Sequence, residues 1–231
     1  MNKINKLIKK LFLCSWENKG SIPKSFMKTF LPDNPIIIEA GAHIGIDTCE
    51  MAKLWPKSKI FAFEPIPEIY SQLIKKTQSF ENVRCFKQAL SEKTGVVTMN
   101  VSKGVSDGSS SILEPKEHLV LHPDVLFEKK IDVDAITLND WMKKNEIKHI
   151  DLLWLDLQGF EFNVLKASSE ILKNVTMIYT EVSIEELYSG SMLYPEFRNW
   201  IESFGFEVMR EELVWQDAGN VLFKKKIDFI E

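Results

Sequence analysis

Hydrophobic positions change period repeatedly along this chain. Short apolar runs of strand length give way to stretches with apolar residues three and four apart, and then the runs return. "IIIEA" (36–40) is a buried-strand run, followed by helix-compatible sequence from Ile44 to Leu54. "KIFAFE" (59–64) predicts a second strand, and "PEIYSQLIKKT" (67–77) predicts a helix that Pro67 opens at its first position. "NVRCFKQAL" (82–90) reads as a third strand with its exit loop. Further on, "IDVDAITLNDW" (131–141) resumes strand and then starts a helix at Thr137 and Asp140. "IDLLWLD" (150–156) predicts a central strand, helix follows from about 160, and "VTMIYTEVS" (175–183) predicts the next strand. The tail, "GFEVMREELVWQDAGNVLFKKK" (205–226), predicts an antiparallel hairpin on the sheet edge, guarded by Lys224, Lys225 and Lys226. Alternation of this kind predicts a parallel sheet with helices on both faces.

Two stretches fall outside the pattern. Residues 91–124 are rich in Ser, Gly and Lys, with strand period only at 95–101. Loops of this length inside a domain are lids, binding segments or disordered, so a lid over about 104–130 is expected. Residues 1–14 place Ile4, Leu7, Ile8 and Leu11 on one helical stripe with lysines opposite. That predicts a helix packed on the domain or covering its cleft, with weak membrane contact as the alternative. The organisation expected is an N-terminal helical appendage (1–32) and one domain (33–231), with no internal repeat.

Composition narrows the possibilities. With 231 residues, 45% of them hydrophobic, the chain can bury the core of one full-sized domain. A net charge of -4 gives no broad basic surface, which argues against nucleic acid as a partner. Cys14, Cys49 and Cys85 form no CxxC pair and read as free thiols in a reducing compartment. No run approaches the ~20 apolar residues of a membrane span, and no cleavable leader is legible, so a cytoplasmic protein is expected. Oligomeric state is not legible.

Candidate chemistry gathers at the strand ends. Gly41 and Gly45 follow the first strand and bring backbone close to a ligand in the crevice of an open α/β sheet. Glu64 ends the second strand 23 residues after Gly41, where an acid accepts from a ribose diol. A dinucleotide would require glycine between these positions so that backbone can approach its pyrophosphate, but His43 stands there. S-adenosylmethionine has no phosphate, so the histidine favours it over NAD. The ring of His43 either meets the methionyl end or substrate, or is satisfied within its loop.

At this point "IIIEAGAHIGIDT", "FAFEPIP", "QALSEKTG", "GSSSIL" and "LNDWMKKNEIKHIDLLWLDLQGFEFNVLKAS" together resemble FkbM-type S-adenosylmethionine-dependent methyltransferases, over about residues 33–226. The resemblance implies a class I methyltransferase, Rossmann-like fold with a seven-stranded, mostly parallel sheet and an antiparallel final strand. It implies O-methylation of a sugar or other hydroxyl. It also implies that Glu39, Gly41, Ala42 and Gly45 line the methionyl side, Glu64 holds the ribose, Gln88 and Ala89 flank the adenine, and Ser109 or Ser110 closes over the cofactor. The family commonly has Asn where this chain has His43; Asp156-Leu157-Gln158-Gly159 keeps to a known variant of its motif. Glu39 is equally explained as an acid accepting backbone N–H bonds at the following helix.

Methyl transfer to an alcohol needs a base beside the acceptor oxygen, or a divalent ion that acidifies it. Asp156, which ends its strand beside the cofactor and is also expected to contact it, and Glu181 end neighbouring strands and are either base and positioner, with His43 as a further catalytic candidate, or two oxygen ligands for Mg²⁺. Gln158, Tyr188 and Tyr194 are the acceptor candidates, with Tyr188 placed for a sugar to stack on it. Glu161 reads as a helix-terminus acid and Gly159 as the residue that permits a tight strand-to-helix passage. "HLVLHPD" puts His118 and His122 on one helical face, as metal ligands or lid residues. A small-molecule or glycan acceptor is the expected partner. The alternatives are a nicotinamide-dependent oxidoreductase and a catalytically inactive binding module of the same fold.

Overall fold

The structure is a computed structural model that describes residues 20–226, so the amphipathic stretch 1–14 lies outside the described residues. A short helix, α1 (Lys24–Lys28), comes first. Strand β1 (Ile36–Ala40), helix α2 (Ile46–Leu54), strand β2 (Lys59–Phe63), helix α3 (Pro67–Thr77) and strand β3 (Val83–Phe86) then follow in the expected alternation. Pro67 occupies the first turn of α3, where its missing N–H would have had no helical partner.

Seven strands form the main sheet. After β1–β3 these are β7 (Ile150–Leu155), β8 (Val175–Ser183), β9 (Phe206–Glu212) and β10 (Ala218–Lys225). Their order is β3-β2-β1-β7-β8-β10-β9. The first five are mutually parallel, and β10 runs antiparallel to both of its neighbours. This is the expected class I methyltransferase topology. Progress across the sheet reverses between β1 and β7, which makes their carboxyl ends the place for a ligand crevice.

Period-two alternation sends the strands' side chains into two cores. Ile37, Leu152, Trp154, Met177 and Tyr179 face one side, where they meet Met51 and Trp55. Ile38, Ala40, Leu153, Leu155 and Ile178 face the other. There they meet Trp141, Leu165 and Ile201 from α5 (Leu138–Lys144), α6 (Glu161–Ala167) and α7 (Tyr194–Ser203). Trp154 is a core residue, stacked on Tyr179 at 3.7 Å between ring centroids. Ile22, Met27 and Leu31, within the stretch that composition sets apart as an appendage, also belong to the first core. Lys24 of α1 pairs with Asp47, and with Glu50 at 2.8 Å.

The segment read mainly as loop differs most. It builds a second sheet, β4-β6-β5, from β4 (Ala89–Leu90), β5 (Gly95–Gly104) and β6 (Val125–Ile136). The long strands form an antiparallel ribbon whose Val97, Met99, Val133 and Ala135 pack with Ile66 and Ile69. Strand therefore starts at Val125, not 131, and residues 125–130 of the expected lid belong to it. Much of this ribbon end is exposed, so it carries no apolar alternation to read. The remainder includes a one-turn helix, α4 (His118–Leu121). The stretch 82–90 divides between two sheets rather than making one strand with a loop. Helix α7 was not legible as a helix from the strand-centred pattern, although Tyr194, Phe197 and Ile201 are its buried stripe.

The expected cap is present: Thr137 Oγ1 accepts from the Asp140 N–H at 3.0 Å and holds the start of α5. Thr137→Ala should lower stability by about 1 kcal/mol. In urea this reads as a lower midpoint at unchanged slope. An unmoved midpoint would show that the cap contributes nothing.

Candidate active site

The site begins where β1 meets β7. The Asp156 N–H donates to the Ala40 carbonyl at 3.0 Å, and the chain after Ala40 passes directly against the next turn. Gly41 has φ +82°, and a Cβ there would overlap the Asp156 carbonyl oxygen. Glycine is therefore required here by neighbouring backbone, whatever the ligand. The Gly41 and Ala42 N–H groups both donate to the Phe63 carbonyl, at 3.1 and 2.9 Å. His43 takes φ +50°, and its N–H donates to Glu64 Oε2 at 3.1 Å. The ends of β1 and β2 are thus stitched together around one carboxylate.

These turns open onto a cavity of about 250 Å³. Of the residues expected at the cofactor, it is lined by Gly41, Ala42, His43, Glu64, Gln88, Ala89, Ser110 and Asp156. Ile66, Ile69, Leu90, Met99 and Ile112 form much of the apolar wall. Two acids that sequence reasoning passed over complete it. Asp47 stands in the first turn of α2, and Asp107, beyond the end of β5, lies 3.0 Å from His43 Nε2. The acid in "GIDT", just after the glycine turn, was the available signal for Asp47; the Ser- and Gly-rich stretch around Asp107 offered none.

Other expected residues lie elsewhere. Gly45, at φ +83°, precedes α2, and a Cβ there would press on Leu73 of α3, so its contact is with packing. Glu39 is buried under α2 and accepts from Thr48 Oγ1 at 2.6 Å. Ser109 has its hydroxyl 3.2 Å from that of Ser106. Tyr188 does not offer a stacking face to a sugar. It is 1% exposed, its ring is packed near His118 and Phe127, and its hydroxyl donates to the Ser109 carbonyl at 2.7 Å. Tyr194 is likewise no loop residue in an acceptor pocket: it is buried at the start of α7, with its hydroxyl on Glu211.

Asp156 and Glu181 are brought together, but not directly. Gln158 Nε2 donates to Asp156 Oδ1 and to Glu181 Oε2, at 2.7 Å each. The two carboxylates offered as alternative ligands for Mg²⁺ thus share a hydrogen-bond donor. Among the described residues, no group of three or more His, Cys, Asp or Glu is placed to hold a metal ion. His118 and His122 do share a face, 4.8 Å apart between rings, but His122 Nε2 lies 2.6 Å from Asp217 Oδ2.

Burial dominates the electrostatics. It pushes the Glu64 carboxyl up to about 7 against the backbone N–H groups of Ile66 and His43, which favour its charged form. Those bonds leave each Glu64 oxygen a second lone pair. Asp156, exposed in the cavity wall, is raised first by the protein around it and also by Asp47, with the Gln158 amide opposing. Glu181 is raised well above the usual carboxylate range by burial and then by Asp156. Burial also carries Glu39 to about 8 and Glu161 to about 7; Glu161 accepts from the Leu157 N–H at 2.6 Å, as a helix-terminus acid should.

Residues 39–208 match the family model of the methyltransferase FkbM domain. The 2-O-methyltransferase NoeI of Sinorhizobium fredii is 33% identical over 178 residues, covering 75% of this chain and 73% of that protein. The hexuronic acid methyltransferase AglP of Haloferax volcanii is 20% identical over 151 residues, covering 65% and 56%. The crystal structure of methyltransferase FkbM from Methylobacillus flagellatus shares the fold, with a TM-score of 0.54 at 13% identity. That match covers 83% of this chain but 44% of the other, so the chain spans less than half of that protein's length.

The buried acids give stability a definite pH dependence. A carboxyl whose folded pKa is raised keeps its proton after the unfolded chain has lost its own, so stability falls as pH rises between the two values. For Glu39 that window runs from the ordinary 4.5 to about 8. Glu64 and Glu161 act in the same direction up to about 7. The melting temperature should be lower at pH 8 than at pH 6, and Glu39→Gln should narrow the gap. Equal melting temperatures in the parent protein would contradict the assigned burial of charge.

Proposed function

The chain belongs to the FkbM methyltransferase family, and from that premise we propose that it is an S-adenosylmethionine-dependent O-methyltransferase acting on a sugar hydroxyl, free or within a glycan. The observation that carries the cofactor reading is the charge of the cavity. Asp47, Glu64, Asp107 and Asp156 line it, and among the described residues no lysine or arginine does. Such a surface complements a sulfonium and an ammonium group and repels a pyrophosphate. The Cβ of His43 further obstructs the backbone approach that a dinucleotide requires.

In this reading the spare lone pairs of Glu64 accept from the ribose diol. Ile66, Ile69, Leu90, Met99 and Ile112 bracket the adenine, with Gln88 and Ala89 at its edge. The backbone of Gly41 to His43, together with Asp47, meets the methionyl end, and Ser110, whose hydroxyl accepts from the Ser102 N–H of β5, closes over the cofactor. When bound, S-adenosylmethionine supplies an electrophilic methyl group on sulfur. The chain's part is to orient the acceptor, exclude water and remove a proton. Asp156, in the cavity wall, is the group proposed to take that proton. Its raised pKa suits the task, because a stronger base drives the transfer better than an ordinary carboxylate. The contact between His43 and Asp107 joins the β1 turn to the ribbon end and narrows the way for water. Oxygen as the methylated atom, and a sugar as its bearer, are supported by what the printed names of NoeI and AglP say of those relatives.

Calorimetry should give saturable 1:1 binding of S-adenosylmethionine and none of NAD⁺, with Glu64→Gln weakening the former about tenfold or more. Binding of NAD⁺ alone would overturn the cofactor assignment. Asp156→Asn should retain that binding and lose about 10²- to 10⁴-fold in turnover on a panel of sugars read by mass gain. Full turnover in this variant would remove Asp156 from the proton transfer.

A further inference from the structure

We propose that Gln158 is a positioning residue for the reaction: its side-chain amide fixes the orientation and charge of Asp156, and links it to Glu181 and to the ribbon over the cavity. The proposal rests on the reading of Asp156 as the acceptor's base. It changes the role expected of Gln158 from acceptor binding to control of a neighbour.

Both polar ends of the side chain are engaged, and so is the backbone carbonyl. The two amide hydrogens serve Asp156 Oδ1 and Glu181 Oε2, both at 2.7 Å, and Oε1 lies 3.3 Å from the Tyr188 hydroxyl. The Gln158 carbonyl accepts from Ser111 Oγ at 2.8 Å. Only one amide orientation satisfies this set, because the reverse would set Oε1 against two carboxylates. The backbone is held in the left-handed region, at φ +53°, which a residue with a Cβ seldom adopts. Surrounding bonds therefore keep this side chain where it bridges the two acids.

The chemistry of the bridge explains why it is an amide. Two carboxylates that share one amide nitrogen disfavour double ionisation, and one of them tends to keep a proton. A carboxylic acid at position 158 could donate only one hydrogen, and an apolar side chain none. The glutamine donates to both and so favours the charged form of each. Asp156 also feels Asp47 and His43, and Glu181 also feels Glu161 and Asp217. Against that surplus of acids, the amide is the uncharged group that keeps a base available. Tyr188 adds a mechanical link, since the same hydroxyl that meets Gln158 is bonded to the Ser109 carbonyl of the covering segment.

The test follows the Asp156 carboxyl by ¹³C NMR across pH, with its resonance assigned by loss in Asp156→Asn. In Gln158→Leu its midpoint should rise by about one pH unit. The acid limb of the kcat profile should rise with it, while affinity for S-adenosylmethionine changes by no more than about twofold. An unmoved midpoint would overturn the proposal. If Gln158→Leu does not fold, Gln158→Met serves, because it keeps the side chain's length and removes both amide hydrogens; it should raise the Asp156 midpoint in the same direction, and a fixed midpoint there would equally overturn the proposal. The NMR measurement needs no turnover, so it decides the role of Gln158 even if Asp156→Asn proves fully active and the base assignment fails.

Discussion

The crevice depends on how closely two parallel strands approach at their carboxyl ends. β1 and β7 stay in register up to Ala40 and Leu155, and one more backbone bond, from Asp156 to Ala40, carries the ladder past the last strand residue. At that point the chain from β1 must turn away without a side chain in the gap. Gly41 meets the requirement, and the turn it allows sends two N–H groups to β2 and aims the next at Glu64. The position of Asp156 on one side and of Glu64 on the other is a consequence of this single approach. So is the opening between them.

A second constraint is electrostatic. The same end of the sheet gathers acids from the ends of β1, β2, β7 and β8 and the first turns of α2 and α6, and Glu39, Glu64 and Glu161 are shielded from water. Their charge is managed by hydrogen-bond donors more than by cations. Glu64 has two backbone N–H groups, Glu39 a threonine hydroxyl, Glu161 a backbone N–H, and Asp156 shares an amide with Glu181. Donors of this kind stabilise a carboxylate without cancelling the local negative potential. A cavity lined this way remains attractive to a cationic ligand.

The parallel sheet was legible because its strands are buried on both faces, and buried runs such as "IDLLWLD" need no tertiary context to be read. The glycine turn, Glu64 and Asp156 were legible for the related reason that strand ends are fixed once strands are. The ribbon was not. One face of β5 and β6 packs on Ile66 and Ile69 and the other meets water, and toward the tip even the inner face thins out, so the pattern fades into apparent loop. An aromatic next to polar residues reads as a surface group, yet Tyr188 and Tyr194 are buried. His118 and Phe127, which pack on Tyr188, come from distant sequence, and Tyr194 joins the core through the stripe of a helix that its sequence did not announce. The bridge at Gln158 was beyond reach for the same reason, since it joins side chains from β8 and from two loops.

The small helix α1 has an effect out of proportion to its five residues. Lys24 lies over the Trp154 ring and grips Asp47, an acid of the cavity wall, while Ile22 and Met27 fill the core below. A cation outside the cavity thus sets how much of that wall's charge is felt inside it. Shortening the protein to the stretch where its alternating pattern begins would remove this counter-ion together with part of the core. The domain's natural edge, judged by what its binding surface needs, lies upstream of the edge that its composition suggests.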